Sequence, residues 1–418
     1  MRRTIILFFI ALVLVLGAAF IAFYLDSSRN TFDSNGEDSG GFFSGLFPFG
    51  SGDTTPSGGT GGGADVPKTE DTRPVPQLRQ VSNQPTVGAF IYENAEEEPI
   101  IRYIDRATGH IYDVPAEGRT ATRISNTTVP EIHDVTWIDE NNFIIRYFNE
   151  DGDTENFYTT INSEENEENA FGGSFMSQWQ RASIDQAGEN LLAVYETEDG
   201  SVITLSDVNG ENERTIFSSR IRSWIPLQSD AALYVHTAPA SGIAGAVYQI
   251  TNSNLTHIVG GVESLTAQVS PSGRYIVMSG GERDTSLSVY DTQEEQIFLT
   301  PLNTIASKCA FTPNEEHLAC GVPRETLSSN ATVHWLLGQT VFEDDLWLFT
   351  ISDGVSMLLA LPSDEVDAQI DVWRPQVSYD GNYVTFLNKN DLTLWSLRLY
   401  EPTDDTKTES DLENGEGI

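Results

Sequence analysis

The chain has 418 residues, enough for one large domain with appendages, and carries 62 Asp and Glu against 23 Lys and Arg, a formal net charge of −39. Nucleic-acid affinity rests largely on Lys and Arg neutralising phosphates, so this balance opposes a nucleic-acid partner. Only four of the cations are lysines, Lys68, Lys308, Lys389 and Lys407, which leaves an acidic, lysine-poor surface of the kind that stays soluble in a salty exterior.

The first segment, "MRRTIILFFIALVLVLGAAFIAFYLDSSRN", places Arg2 and Arg3 before an uncharged run of 20 residues, 5–24. At about 1.5 Å per residue that run spans the roughly 30 Å hydrocarbon core of a bilayer. The arginines hold the amino end inside, so residues 1–25 are expected to be a single transmembrane anchor with the rest of the chain outside, extracellular or periplasmic. A cleaved signal peptide is the competing reading; the run is longer than the usual apolar region and no A-x-A site follows it. No Cys lies nearby to carry a bacterial-type lipid anchor.

Residues 26–76 turn to Gly, Ser, Asp, Thr and Pro, as in "SGDTTPSGGTGGGADVP". Such a composition cannot bury enough apolar surface to offset chain ordering, and predicts a disordered tether. Within it "GFFSGLFPFG" crowds Phe42, Phe43, Phe47 and Phe49 between glycines. This is a candidate docking motif or an interfacial foot beside the anchor; an accident of low-complexity sequence remains the alternative. The other end, residues 403–418, reads as an acidic disordered tail.

Between the two ends a phrase recurs: "VSPSGRYIVM", "AFTPNEEHLAC" and "VSYDGNYVTF". Marking the residue before each polar turn gives Tyr92, Ile138, Ile184, Leu227, Ser270, Thr312 and Ser378, with steps of 46, 46, 43, 43, 42 and 66 residues. Five steps fall in the range of a four-stranded propeller blade, and the sixth joins them once a segment of roughly 23 residues is set aside. Short alternating runs of Val, Ile, Tyr, Phe and Thr between turn residues fill each unit, with no long 3.6-residue period. The fold class is therefore all-β, a seven-bladed β-propeller over residues 77–402. Blade five is expected to have strands at 267–269, 275–279, 287–291 and 296–300. Four such strands cannot bury both sheet faces alone, so blades stack around an axis.

The last unit runs out after three strands. "QLRQVSNQPT" (77–86) precedes unit one much as "ATRISNTTVP" (121–130) precedes unit two, so residues 78–82 are expected to pair with 392–397 and close the ring, hiding a sheet edge.

The phrase "VSPSGRYIVM", followed by "LSVYDTQ", resembles the blades of TolB-like and WD-repeat β-propellers, where a Ser-Pro-Asp/Ser-Gly turn joins the first two strands. The order of anchor, Gly-rich tether with a Phe knot and propeller resembles membrane-anchored propeller proteins of small-genome, candidate-phylum bacteria. The resemblance covers nearly the whole chain and implies fold more than function, since propellers serve as scaffolds, receptors and enzymes. The Gly-His and Trp-Asp pairs of the WD repeat are missing, so that family's peptide-binding habits do not transfer.

Catalytic signatures are scarce. There is no G-x-S-x-G, H-E-x-x-H or Gly-Lys phosphate loop, and no ligand-spaced pair among His110, His133, His236, His257, His317 and His334. No catalytic residue, metal ligand or cofactor is assigned. "NEDGDTEN" spaces Asp151, Asp153 and Glu155 as in Ca²⁺ loops, without the bidentate Glu of an EF-hand, and reads as a polar hairpin tip. Residues 324–345, "RETLSSNATVHWLLGQTVFEDD", stand where a neighbouring blade has a short turn. Long loops on rigid scaffolds carry binding, and His334, Trp335 and Phe342 are the candidate partner contacts; the alternative is that Trp335 folds back and plugs the propeller face.

The only two cysteines fall on the repeated phrase. Overlaying "CAFTPNEEHLAC" on "AQVSPSGRYIVM" places Cys309 opposite Cys320 across a hairpin, at a separation a disulfide tolerates, in a domain exported to oxidising conditions. A one-residue slip would instead leave two buried free thiols. Three function classes follow: a membrane-anchored, outward-facing binding or scaffold propeller with a protein or cell-envelope partner, which we favour; an exported hydrolase or lyase acting on glycans or peptides; and a structural subunit of an envelope complex. The favoured class is not an enzyme.

Overall fold

The computed structural model describes residues 75–125, 127–149, 151–162 and 170–400. They form seven four-stranded antiparallel sheets, each built from strands consecutive in the chain except the last, which takes its outermost strand from the amino-terminal side. The protein is a seven-bladed β-propeller. Blade five follows the expected strands closely, at Thr266–Val269, Tyr275–Gly280, Ser286–Asp291 and Gln296–Leu299.

The recurring phrase forms the turn between the first two strands of a blade. In blade five Ser270 receives a hydrogen bond on its hydroxyl from the Tyr275 N–H at 3.0 Å, and its own N–H reaches the Tyr275 carbonyl at 2.8 Å. Gly273 takes the left-handed φ of +79° that closes the turn. Blade seven repeats this with Ser378, Tyr383 and Gly381. Blade six substitutes Thr312 and His317, and puts Glu315 in the left-handed position at φ 57°. That conformation is unusual for a side-chain-bearing residue. The Glu315 carboxylate in return accepts hydrogen bonds from the hydroxyls of Ser270 and Ser272 in blade five, at 3.1 and 2.7 Å.

The apolar run after each turn reads as nearly continuous because both faces of a blade are buried. In blade five Ile276 and Met278 pack towards blade four, while Val277 between them packs towards blade six. The described residues contain one such apolar cluster at each of the seven blade junctions. A fully buried Leu, Ile or Val contributes about 1.5–3 kcal/mol, and these junctions are where the ring is held together.

Closure takes the expected form. Leu78–Gln80 pairs antiparallel with Leu394–Arg398, with Leu78 opposite Leu397, Arg79 opposite Ser396 and Gln80 opposite Trp395. Leu78 sits in the core between blades six and seven. Arg79 reaches across to blade one and donates to the carbonyls of Pro115 and Ala116 at 3.0 and 2.9 Å.

Residues 5–24, the Phe-rich stretch with Phe42, Phe43, Phe47 and Phe49, and the acidic tail lie outside the described residues. Among the described residues no helix is long and apolar enough to cross a membrane. The tip around Asp151 and Asp153 is a hairpin turn capped by Asn149, whose side-chain oxygen accepts both their N–H groups at 3.1 and 2.9 Å.

Candidate functional site

In an antiparallel blade the loop between strands two and three emerges at the same end of the ring as the connections between blades. The insertion uses that end. It joins His317–Pro323 to Asp344–Thr350 in blade six. It first runs along blade five, where Ser328 bridges to Asp284, Thr285 donates to the Leu327 carbonyl and Ser329 to the Arg283 carbonyl, both at 2.8 Å. A short helix, Ala331–Leu336, follows. Beneath it lies an apolar cluster of its own: Ile305, Leu327, Ala331, Trp335 and Phe342, with Trp373 alongside.

The centre of this cap is charged. Lys308, Asp344 and Asp371 have side chains with no solvent exposure. Such residues are almost never fully buried unless paired. Here Lys308 Nζ pairs with Asp344 at 2.5 Å and with Asp371. Asp371 also accepts the Trp335 indole N–H on both oxygens, at 2.9 and 3.0 Å, and the Phe342 N–H at 3.0 Å. Two carboxylates share one buried ammonium, and they are not equivalent. Asp344 Oδ2 accepts the Val372 N–H at 2.7 Å, but its Oδ1 has no hydrogen-bond partner among the described residues. Burial, with Asp371 adding a second negative charge and Lys308 opposing, pushes the Asp344 carboxyl up to about 6.

Trp335 has cations around its ring. Lys308 Nζ lies 4.9 Å from the ring centroid and Lys389 Nζ 3.9 Å, the latter also donating to the Trp335 carbonyl. Partial burial draws Lys389 down to about 8. These two are the only lysines among the described residues, and both serve this one ring.

The candidate contacts thus divide. Trp335 is 1% exposed and Phe342 5%, so both point inward as pins bonded to Asp371, the fold-back arrangement that stood beside the partner-contact reading for Trp335. His334 stays exposed. Beside it stand Leu336, Leu337 and Val341, at 46, 65 and 53% exposure, an apolar knob on a pinned base. Lys308, Asp371 and Lys389 escaped the sequence reading; the signal available was the scarcity of lysine, with Lys308 directly before the inner strand of blade six. Next to Lys308, Cys309 stands opposite Cys320 in the register that also pairs Ala310 with Ala319 and Phe311 with Leu318. The two cysteines are joined as a disulfide in the core between blades five and six, with Cα atoms 4.1 Å apart.

No protein-family model matches the chain. No curated protein matches it either. Among solved structures, the chain is similar to an oligogalacturonate lyase from Vibrio parahaemolyticus, at 10% identity over 78% of this chain and 94% of that one, TM-score 0.52. It is also similar to TolB from Acinetobacter baumannii, at 11% identity over 64% of this chain and 62% of that one, TM-score 0.40. A puromycin-hydrolysing peptidase of Mycobacterium tuberculosis matches at 12% identity over 72% of this chain, which spans 50% of the peptidase, TM-score 0.49. At these identities the likeness is one of fold, the β-propeller, and the lyase carries it.

Proposed function

We propose that the chain is a binding propeller, held outside a membrane by its amino-terminal segment, that presents the insertion cap to a protein or cell-envelope partner. The observation that carries this reading is the pinned knob: Leu336, Leu337 and Val341 exposed above a base locked by Lys308, Asp371 and Trp335. Exposed apolar side chains on a rigid support lose little freedom on association, which favours binding. The lyase shares the scaffold, and its reaction does not travel with a fold.

A photo-reactive amino acid at position 337 in intact cells tests the cap. A discrete crosslinked product is expected there, absent when the probe sits at Asn252 on a distant turn and absent when Leu336→Glu accompanies it. Products that are equal from both positions, or none from position 337, overturn the reading. For the membrane orientation, protease added to spheroplasts should cut within residues 26–76 and release the propeller; a protected fragment refutes it.

A further inference from the structure

A second site lies away from the cap, at the seam where the ring closes. The connection that leaves the closing strand, residues 81–85, borders a cleft of about 460 Å³ whose other wall is blade one. That volume falls within the range of about 300–1,000 Å³ typical of small-molecule sites. Asn83, Gln84, Tyr103, Asp105, Tyr112 and Arg119 line it.

What distinguishes this cleft is unspent hydrogen-bonding capacity. Tyr103 is only 8% exposed, its ring packed in the core between blades seven and one, yet its hydroxyl makes no hydrogen bond among the described residues. The hydroxyl itself keeps contact with solvent at the cleft, where no protein group competes for it. Burial, with Tyr112 and Asp105 close by, pushes its pKa up to about 12, so it remains a neutral O–H at physiological pH. The Tyr112 ring stacks on it at 5.4 Å and 17°. Asp105 spends Oδ1 on the Thr108 N–H and hydroxyl, at 2.9 and 2.7 Å, and leaves Oδ2 uncommitted. The Asn83 and Gln84 side-chain amides are exposed and unbonded among the described residues. The larger cleft between blades five and six, about 610 Å³, differs in this respect. Its Glu315 is taken by Ser270 and Ser272, and its Asp291 by Arg274 and two backbone N–H groups.

We infer that the cleft between the closing strand and blade one binds a neutral saccharide. A sugar hydroxyl both donates and accepts, which matches the phenol, amide and carboxylate oxygens left open here. Tyr112, half-buried over Tyr103, offers an aromatic surface to the C–H face of a pyranose ring. The chain's net charge of −39 disfavours an anionic sugar. An occupant would span residues 81–84 and blade one, and so would tighten the closure.

Titration calorimetry of the full chain with chitotriose, cellotriose and trigalacturonate tests this. At least one neutral trisaccharide should bind at concentrations up to about 10 mM, and trigalacturonate should not. Tyr103→Phe, which removes only the hydroxyl, should weaken the neutral ligand about 3- to 10-fold, the fold-change of one neutral hydrogen bond. Asn83→Ala combined with Gln84→Ala, on an exposed connection that tolerates change, should weaken it by a similar factor and keeps the test valid if Tyr103→Phe misfolds. Failure of both neutral sugars to bind, equal binding of trigalacturonate, or unchanged affinity in a folded variant overturns the assignment. None of these results bears on crosslinking at position 337, so the two sites stand or fall separately.

Discussion

Replacing Asp371 by Ala should unpin the insertion. The side chain holds Lys308, accepts the Trp335 indole N–H and accepts the Phe342 N–H, all fully buried. Removing one member of a buried ion pair costs about 3–5 kcal/mol because the other charge is left uncompensated. Asp344 remains beside Lys308 at 2.5 Å and restores a one-to-one balance, which argues for the lower end. Against that, the Trp335 and Phe342 donors are orphaned at about 1–3 kcal/mol each unless the loop opens to water. A loss of about 3 kcal/mol should lower the melting temperature by about 4–5 °C, taking an unfolding entropy of about 2.1 cal/mol/K per residue over the ring. The assay is thermal unfolding beside amide exchange. Exchange over residues 324–343 should rise most, while the exposed control Glu325→Ala should stay within about 0.5 kcal/mol of the parent. A melting temperature within about 1 °C of the parent, or a drop with unchanged exchange in the insertion, refutes the lock.

Asp344 carries a pH signature. With its folded value raised to about 6 against the ordinary 3.8, the folded state binds the proton more tightly, so its contribution to stability is present at low pH and is lost as pH rises through about 6. Asp344→Asn cannot titrate, so the variant should gain on the parent as pH climbs from about 4 to 7; a constant gap in unfolding midpoint counts against the assignment. A chain shortened to begin at Gly88 lacks the closing strand and should aggregate on size-exclusion chromatography, whereas one beginning at Arg73 should not. Equal behaviour of the two would mean that closure does not matter to the fold. Unfolded without reductant, the protein should show no reactive thiol at Cys309 or Cys320; two would place free cysteines in the blade.

The architecture was legible because its determinants are local and repeated. The last three blades announce themselves by a Ser or Thr whose hydroxyl caps a turn, as Ser270, Thr312 and Ser378 do, the first three by an Asn or Asp that does the same, Asn94, Asp139 and Asp185, and every blade by the apolar runs that two buried faces demand. The missing fourth strand of the last blade pointed back to residues 78–82, and Leu78 lies opposite Leu397 as that reasoning requires. The cap was not legible in the same way. Trp335 looks like an outward anchor in one dimension because its partner Asp371 is 36 residues away, and Lys308 meets Asp371 across 63 residues. Only the ring brings the starts of two inner strands together beneath a loop. The cleft at the seam has the same character, since Gln84 and Tyr103 line one cleft only in the folded ring.

The closing strand also decides how the propeller responds to a pull. The Gln77 carbonyl accepts the Arg398 N–H at 2.9 Å, and the Gln77 side chain donates to the Arg398 carbonyl at 3.1 Å. Both ends of the ring therefore leave the same corner of blade seven. Tension applied between them meets the antiparallel pair end-on and peels its hydrogen bonds one after another, from Leu78 opposite Leu397 inward. Tension between the amino end and the cap loads a different path, through Leu78 and the core shared by blades six and seven, where many contacts yield together. A pull between its own two ends should therefore open the ring more readily than a pull between one end and the cap.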